Sequence, residues 1–154
     1  MCRREDRSRR HGDGQGLPFA AMSDDTNDDR RARGLARMGE VYSFEVSDGP
    51  GDFFGYTVEH LFGDIWEREG LSLRDRRLLL IGLMVAEGLD GTLGIQLDSA
   101  LAKGDLSADD LREVVIFLSH YAGWPKGAGL NTLVETAIAR HEKALATAKD
   151  PDLP

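Results

Sequence analysis

Two short signatures, "SLRD" at Ser72–Asp75 and "SADD" at Ser107–Asp110, most strongly limit what this chain can fold into. In a Ser-x-x-Asp box the serine oxygen and the acid side chain each satisfy a backbone N–H that a helix start leaves open. Each box here opens a strongly apolar run, one reaching Glu87 before Gly88 and the other spanning Ala108–Tyr121. Helices that are apolar on nearly every side must bury most of their faces. The chain therefore needs further helices to pack around these two.

Three other segments supply them. Asp52 to Glu67 carries Phe53, Phe54, Tyr56, Leu61, Phe62, Ile65 and Trp66, and stops at Gly70. Gly91 to Lys103 is closed by Gly104. At the end of the chain, Leu130, Leu133, Val134, Ala137, Ile138, His141 and Leu145 recur at spacings of three and four, the stripe of an amphipathic helix. Between the last two helices, "YAGWPKGAG" reads as a break from Gly123 to Gly129, because helix interiors disfavour Pro by about 3 kcal/mol and Gly by about 1 kcal/mol. No useful strand alternation occurs, so the predicted fold is all-α.

The first 35 or so residues hold too little apolar surface to offset their ordering entropy, and we read 1–38 as a mobile extension with a short helix near Asp29 to Met38. Met22, followed by "SDDTNDDRRARG", is the expected natural start, and 149–154 is a tail. Residues 39–148 form the expected domain, which opens on an irregular, turn-rich stretch from Val41 to Gly51. With 41% hydrophobic residues, it is long enough to build a core.

The net charge of −8 argues against a nucleic-acid surface, which needs a concentrated positive field. No apolar run approaches the roughly 18 residues of a membrane span. The single cysteine, Cys2, leaves no disulfide framework and no CxxC site, which fits a cytoplasmic setting. Two apolar helices and a further stripe in so small a domain point to oligomerisation as the outlet for surplus apolar surface.

From "FFGYTVEHLFGDIWEREGLSLRDRRLLLIGLMVAEG" to "LDSALAKGDLSADDLREVVIFLSHYAGWPKGAGLNTLVETA" the chain resembles the carboxymuconolactone decarboxylase family, related to alkylhydroperoxidase D, over roughly residues 40 to 145. The most specific parts are "GDIWEREGLSLRDRRLL", the helix start from Ala100 to Glu113, and "YAGWP". The resemblance implies an alkylhydroperoxidase D-like helical bundle, a homotrimer or homohexamer, and a pocket for a small organic acid or lactone with neither metal nor cofactor.

Family decarboxylases carry a histidine in an H-x-x-x-AL pattern, and aligning on Ala100 and Leu101 puts Gln96 there. An amide hydrogen-bonds but does not shuttle protons near neutral pH. The same alignment places Leu89 and Thr92 where the thiol-dependent branch has its cysteines, and Arg77 about where that branch has a proton-relay glutamate, which excludes peroxidase chemistry of that kind. Decarboxylation of a carboxylated lactone needs a cationic anchor, donors to the carbonyl and an acid. On those needs we expect Arg77 or Arg76 as anchor, Gln96 as carbonyl donor and His120 as proton donor, with His60 the second candidate acid; the resemblance suggests that Tyr121 and Trp124 wall the pocket, and Trp66 and His60 are placed there with them. Each has a plainer alternative. The arginines, Arg74 included, could pair with Glu67, Glu69, Asp75 or a neighbouring subunit; the aromatics could be core or interface; the histidines could be hydrogen-bonded structural residues. The outcome for the whole protein is either a lyase or a binding and assembly protein that has lost catalysis.

Overall fold

The computed structural model describes residues 27–149, and these contain helices and no strand. The expected start at Met22 and all but the first residue of the tail expected at 149–154 lie outside the described residues, and that first residue, Lys149, is helical. Both capping boxes form. Ser72 Oγ accepts from the Asp75 backbone N–H at 3.1 Å, and Ser107 Oγ accepts from that of Asp110 at 3.0 Å, with both acids accepting in return from the serine N–H. They open α3 (Leu73–Glu87) and α5 (Ala108–Ala122), and α4 (Asp90–Lys103) lies between. Gly88 and Gly104 end α3 and α4 with φ of 71°, a left-handed conformation that only glycine takes without strain.

The break predicted at Gly123–Gly129 is a single-residue corner. Gly123 alone leaves the helical conformation, and α6 (Trp124–Lys149) starts at once. Pro125 falls in the first turn, where a missing N–H costs nothing, so the helix does not have to wait until Leu130. Gly127 sits against α5 so closely that a Cβ would come within 2.0 Å of Ser119 Oγ. That contact leaves no room for a side chain at this point of the helix.

The main core joins α3, α4, α5 and α6 through Ile81, Leu93, Leu97, Leu111, Leu130 and Val134, all essentially inaccessible. A smaller cluster of Val41, Phe62 and Trp66 ties α1 (Asn27–Tyr42) to the segment after the "SDGPGD" loop. The helix expected near Asp29–Met38 is thus longer than predicted, and a boundary at residue 38 falls inside it. The segment after the loop begins as one α turn, α2 (Asp52–Gly55), and continues as a π-helix over Tyr56–Ile65, closed by Trp66 N–H donating to Leu61 O at 3.0 Å. At Gly34 the backbones of α1 and the π-helix nearly touch: a Cβ there would lie 2.0 Å from Val58 O.

The two helices expected to be wrapped on most faces are wrapped on one. Leu79 and Leu83 of α3, and Ile116 and Phe117 of α5, are exposed, Leu79 by 64% and Phe117 by 62%. Their inner stripes fill the core, and among the described residues these outer ones stay exposed.

Several carboxylates sit below their ordinary range: Asp75 through the Ser72 hydroxyl, Asp110 through the Ser107 backbone N–H, and Glu67 and Glu135 through the Arg37 and Arg112 guanidiniums. A carboxylate depressed on folding stabilises the fold above its unfolded pKa of about 4 and loses that contribution as pH falls through the folded value. Melting temperature is expected to hold nearly level from about pH 7 to 5 and to fall below about pH 4. Ser72→Ala/Ser107→Ala should flatten that fall. A wild-type profile level down to pH 3 would contradict the assignment.

Candidate functional site

A hollow of about 470 Å³ opens between the π-helix and α3, with the end of α1 and the middle of α4 also lining it. Most of its wall is apolar. Leu61, Phe62 and Ile65 come from the π-helix, with Trp66 just after it; Leu79, Leu80 and Met84 come from α3, and Leu71 from the preceding turn. Phe62 and Trp66 stack at 5.8 Å with ring planes 12° apart. Three polar residues interrupt the wall: Tyr42, Arg76 and Gln96.

Gln96 is 1% exposed, and its orientation is fixed from behind. Arg77 Nη1 donates to Gln96 Oε1 at 2.8 Å. A guanidinium can only donate, so it is the amide oxygen that faces Arg77. Arg77, also 1% exposed, gives its other N–H groups to Asp105 Oδ2 at 2.9 Å from Nε and 2.8 Å from Nη2, and to Val41 O at 3.2 Å. This corrects its expected role as an anchor: every direction of its fork is occupied by protein, so it presents no face to a ligand.

Arg76 is half-buried at the rim. Nη1 donates to Leu71 O at 2.6 Å and Nη2 donates to Arg68 O, so the side chain straps the turn before α3 while keeping its charge at the hollow. Tyr42 packs edge-on to Phe62 at 5.5 Å and stacks with Phe44 at 5.6 Å. Burial pushes its phenol up from the ordinary value of 10.0, so it stays protonated through the neutral range.

The hollow therefore brings together Trp66, Arg76 and Gln96 of the predicted site residues, with Arg77 behind. It does not include the others. His120 lies on the outer face of α5, its Nδ1 2.8 Å from Ile116 O and its ring 6.0 Å from that of Trp124. Tyr121 and Trp124 are 78% and 70% exposed and belong to the same outer face. His60 points outward from the π-helix, with Nδ1 3.2 Å from Asp64 Oδ2. All four miss the hollow for one reason: they stand on helix faces turned away from it. Arg74 pairs with Asp110 at 3.0 Å, across the gap between α3 and α5.

Sequence reasoning missed Tyr42 and Asp105. Tyr42 lay at the edge of a stretch read as irregular, although "VY" closing a charged helix was a readable sign of a buried end. Asp105 carried no local sign, because its partner is 28 positions away.

The described residues are thus a helical domain with a largely apolar hollow whose polar lining is Tyr42, Arg76 and Gln96. The profile of the carboxymuconolactone decarboxylase family matches residues 51–135, and the chain belongs to that family. It is similar to a 4-carboxymuconolactone decarboxylase of Acinetobacter baylyi, 30% identical over 80 residues, which cover 52% of this chain and 59% of that protein. It is also similar to a nitrosuccinic acid decarboxylase of Metarhizium robertsii, 31% identical over 68 residues, covering 44% of this chain and 47% of that one. The chain thus spans about half the length of the curated relatives it matches. No solved structure matches significantly. Among the described residues no helix is long and apolar enough to cross a membrane.

Proposed function

We propose that this chain is a cofactor-independent lyase that decarboxylates a small carboxylated lactone or related organic acid in the hollow beside Gln96. The observation that supports the reading is the amide itself: it aligns where family decarboxylases have histidine, it lines a largely apolar hollow, and Arg77 holds its oxygen. Arg76 anchors the anionic substrate at the rim. As the carbon–carboxylate bond breaks and carbon dioxide departs, the electron pair moves onto the conjugated carbonyl. Gln96 donates to that oxygen, and a donor already fixed in place stabilises developing charge without reorganising. Tyr42 then delivers a proton to carbon, and water restores the phenol. This gives Tyr42 the role assigned from sequence to His120.

The proposal includes self-association in the cytoplasm, as a trimer or hexamer, through the outer faces of α3, α5 and the start of α6. Leu79, Leu83, Phe117, Tyr121 and Trp124 there form the kind of exposed apolar surface that marks subunit contacts.

A second reading, a binding protein without turnover, is favoured by one fact: glutamine cannot carry the proton that imidazole carries. Assaying carbon dioxide release from a panel of carboxylated lactones and oxo acids separates the two, with light scattering reporting the mass. Turnover by wild type supports the lyase. Binding without turnover, with activity appearing only in Gln96→His, would replace it by the second reading.

A further inference from the structure

We infer that Arg77 and Asp105 are positioning residues: neither lines the hollow, yet together they hold the carbonyl donor Gln96 and the acid Tyr42 in place relative to each other. The roles of Gln96 and Tyr42 rest on the lyase reading; the contacts that hold them do not. Arg77 Nη1 donates to Gln96 Oε1 at 2.8 Å, and both Nη1 and Nη2 donate to Val41 O at 3.2 Å. The Val41 carbonyl belongs to the peptide that carries the Tyr42 nitrogen. It is also among the last carbonyls of α1, which find no partner inside their own helix. One planar guanidinium therefore grips the side chain of one group and the backbone of the other.

Asp105 sets the guanidinium in turn. Its Oδ2 accepts from Nε at 2.9 Å and from Nη2 at 2.8 Å, which fixes the plane of the fork. Stability alone is a weak reason for such a pair, because apolar side chains of similar volume in place of a buried ion pair are often at least as stabilising. What the pair adds is direction. A glutamine side chain has several rotatable bonds and loses much rotamer freedom when held, and here it is held before any ligand arrives. With its oxygen engaged, the amide has its N–H groups left to donate.

The test uses Arg77→Lys in the whole chain. Lysine keeps a positive charge opposite Asp105 but cannot fork to Gln96 and Val41 at once. The sequence has two glutamines, Gln15 and Gln96, so isotope-labelled glutamine in a Gln15→Ala background leaves one side-chain amide to follow by NMR relaxation. Its order parameter is expected near about 0.85 with Arg77 present and below about 0.6 in Arg77→Lys. kcat should fall roughly 10²-fold with KM nearly unchanged, the scale of loss when a group is misplaced by about 1 Å. Ser107→Ala weakens a helix cap away from the hollow and should change neither reading, which separates positioning from lost stability. Asp105→Glu keeps both charges and displaces the carboxylate; it should move both readings the same way by less, and it decides alone if Arg77→Lys does not fold. The inference is overturned if the amide stays rigid in the folded variant, loosens without a fall in kcat, or loosens equally in Ser107→Ala. The lyase reading fails separately. If wild type decarboxylates no acid but the amide loosens in Arg77→Lys, the hold on Gln96 stands without it; if wild type and Arg77→Lys turn over equally, the lyase stands and the inference falls.

Discussion

Arg77→Met is expected to lower the unfolding free energy by about 3–5 kcal/mol, seen as a large fall in the urea midpoint. Methionine retains much of the stem's apolar contact, so the loss is electrostatic. Asp105 Oδ2 loses donors at 2.9 and 2.8 Å, Val41 O loses two at 3.2 Å, and Gln96 Oε1 loses one at 2.8 Å. These acceptors sit at the end of α1, on α4 and in the turn between α4 and α5. One guanidinium therefore joins three parts of the fold that are distant in sequence. Removing it leaves Asp105 as a carboxylate only 17% exposed and without its counter-charge, the arrangement in which a broken buried pair costs most. Arg77→Met/Asp105→Asn should recover part of the loss, because no orphan charge remains. A single variant within about 1 kcal/mol of wild type would mean that water, not protein, satisfies these groups.

That network also marks where the sequence stopped being legible. Helix starts could be read because a capping box is local: Ser72 and Asp75, or Ser107 and Asp110, meet within one turn. Helix ends at Gly88 and Gly104 could be read for the same reason. The corner at Gly123 was misjudged because propensity penalises Pro125 and Gly127 only in a helix interior. Whether a residue is interior depends on where the helix starts, and the tight approach of Gly127 to Ser119 is a tertiary fact. The site divides along the same line. Gln96 could be found by its register before Ala100, and Arg76 by its place in the first turns of α3. Which histidine or aromatic faces a space depends on helix rotation about the core, and that turned His60, His120, Tyr121 and Trp124 outward while bringing Tyr42 in.

Tyr42→Phe is expected to lower kcat by roughly 10²–10⁴-fold with little change in KM, the signature of losing a general acid rather than a binding contact. The substitution keeps the ring against Phe44 and Phe62 and removes only the hydroxyl, so the fold should survive it. Its pH dependence distinguishes the phenol from an imidazole. Because burial raises the phenol's pKa, its acid form persists across the neutral and mildly alkaline range, and activity that needs that form is lost only as pH rises through the raised value. Wild type should accordingly show no loss of kcat on raising the pH from about 6 to 9, and His120→Ala should leave that profile in place. A decline across the neutral range that disappears in His120→Ala would return the proton to the histidine, and would require the outer face of α5 to meet a hollow it does not meet within one chain.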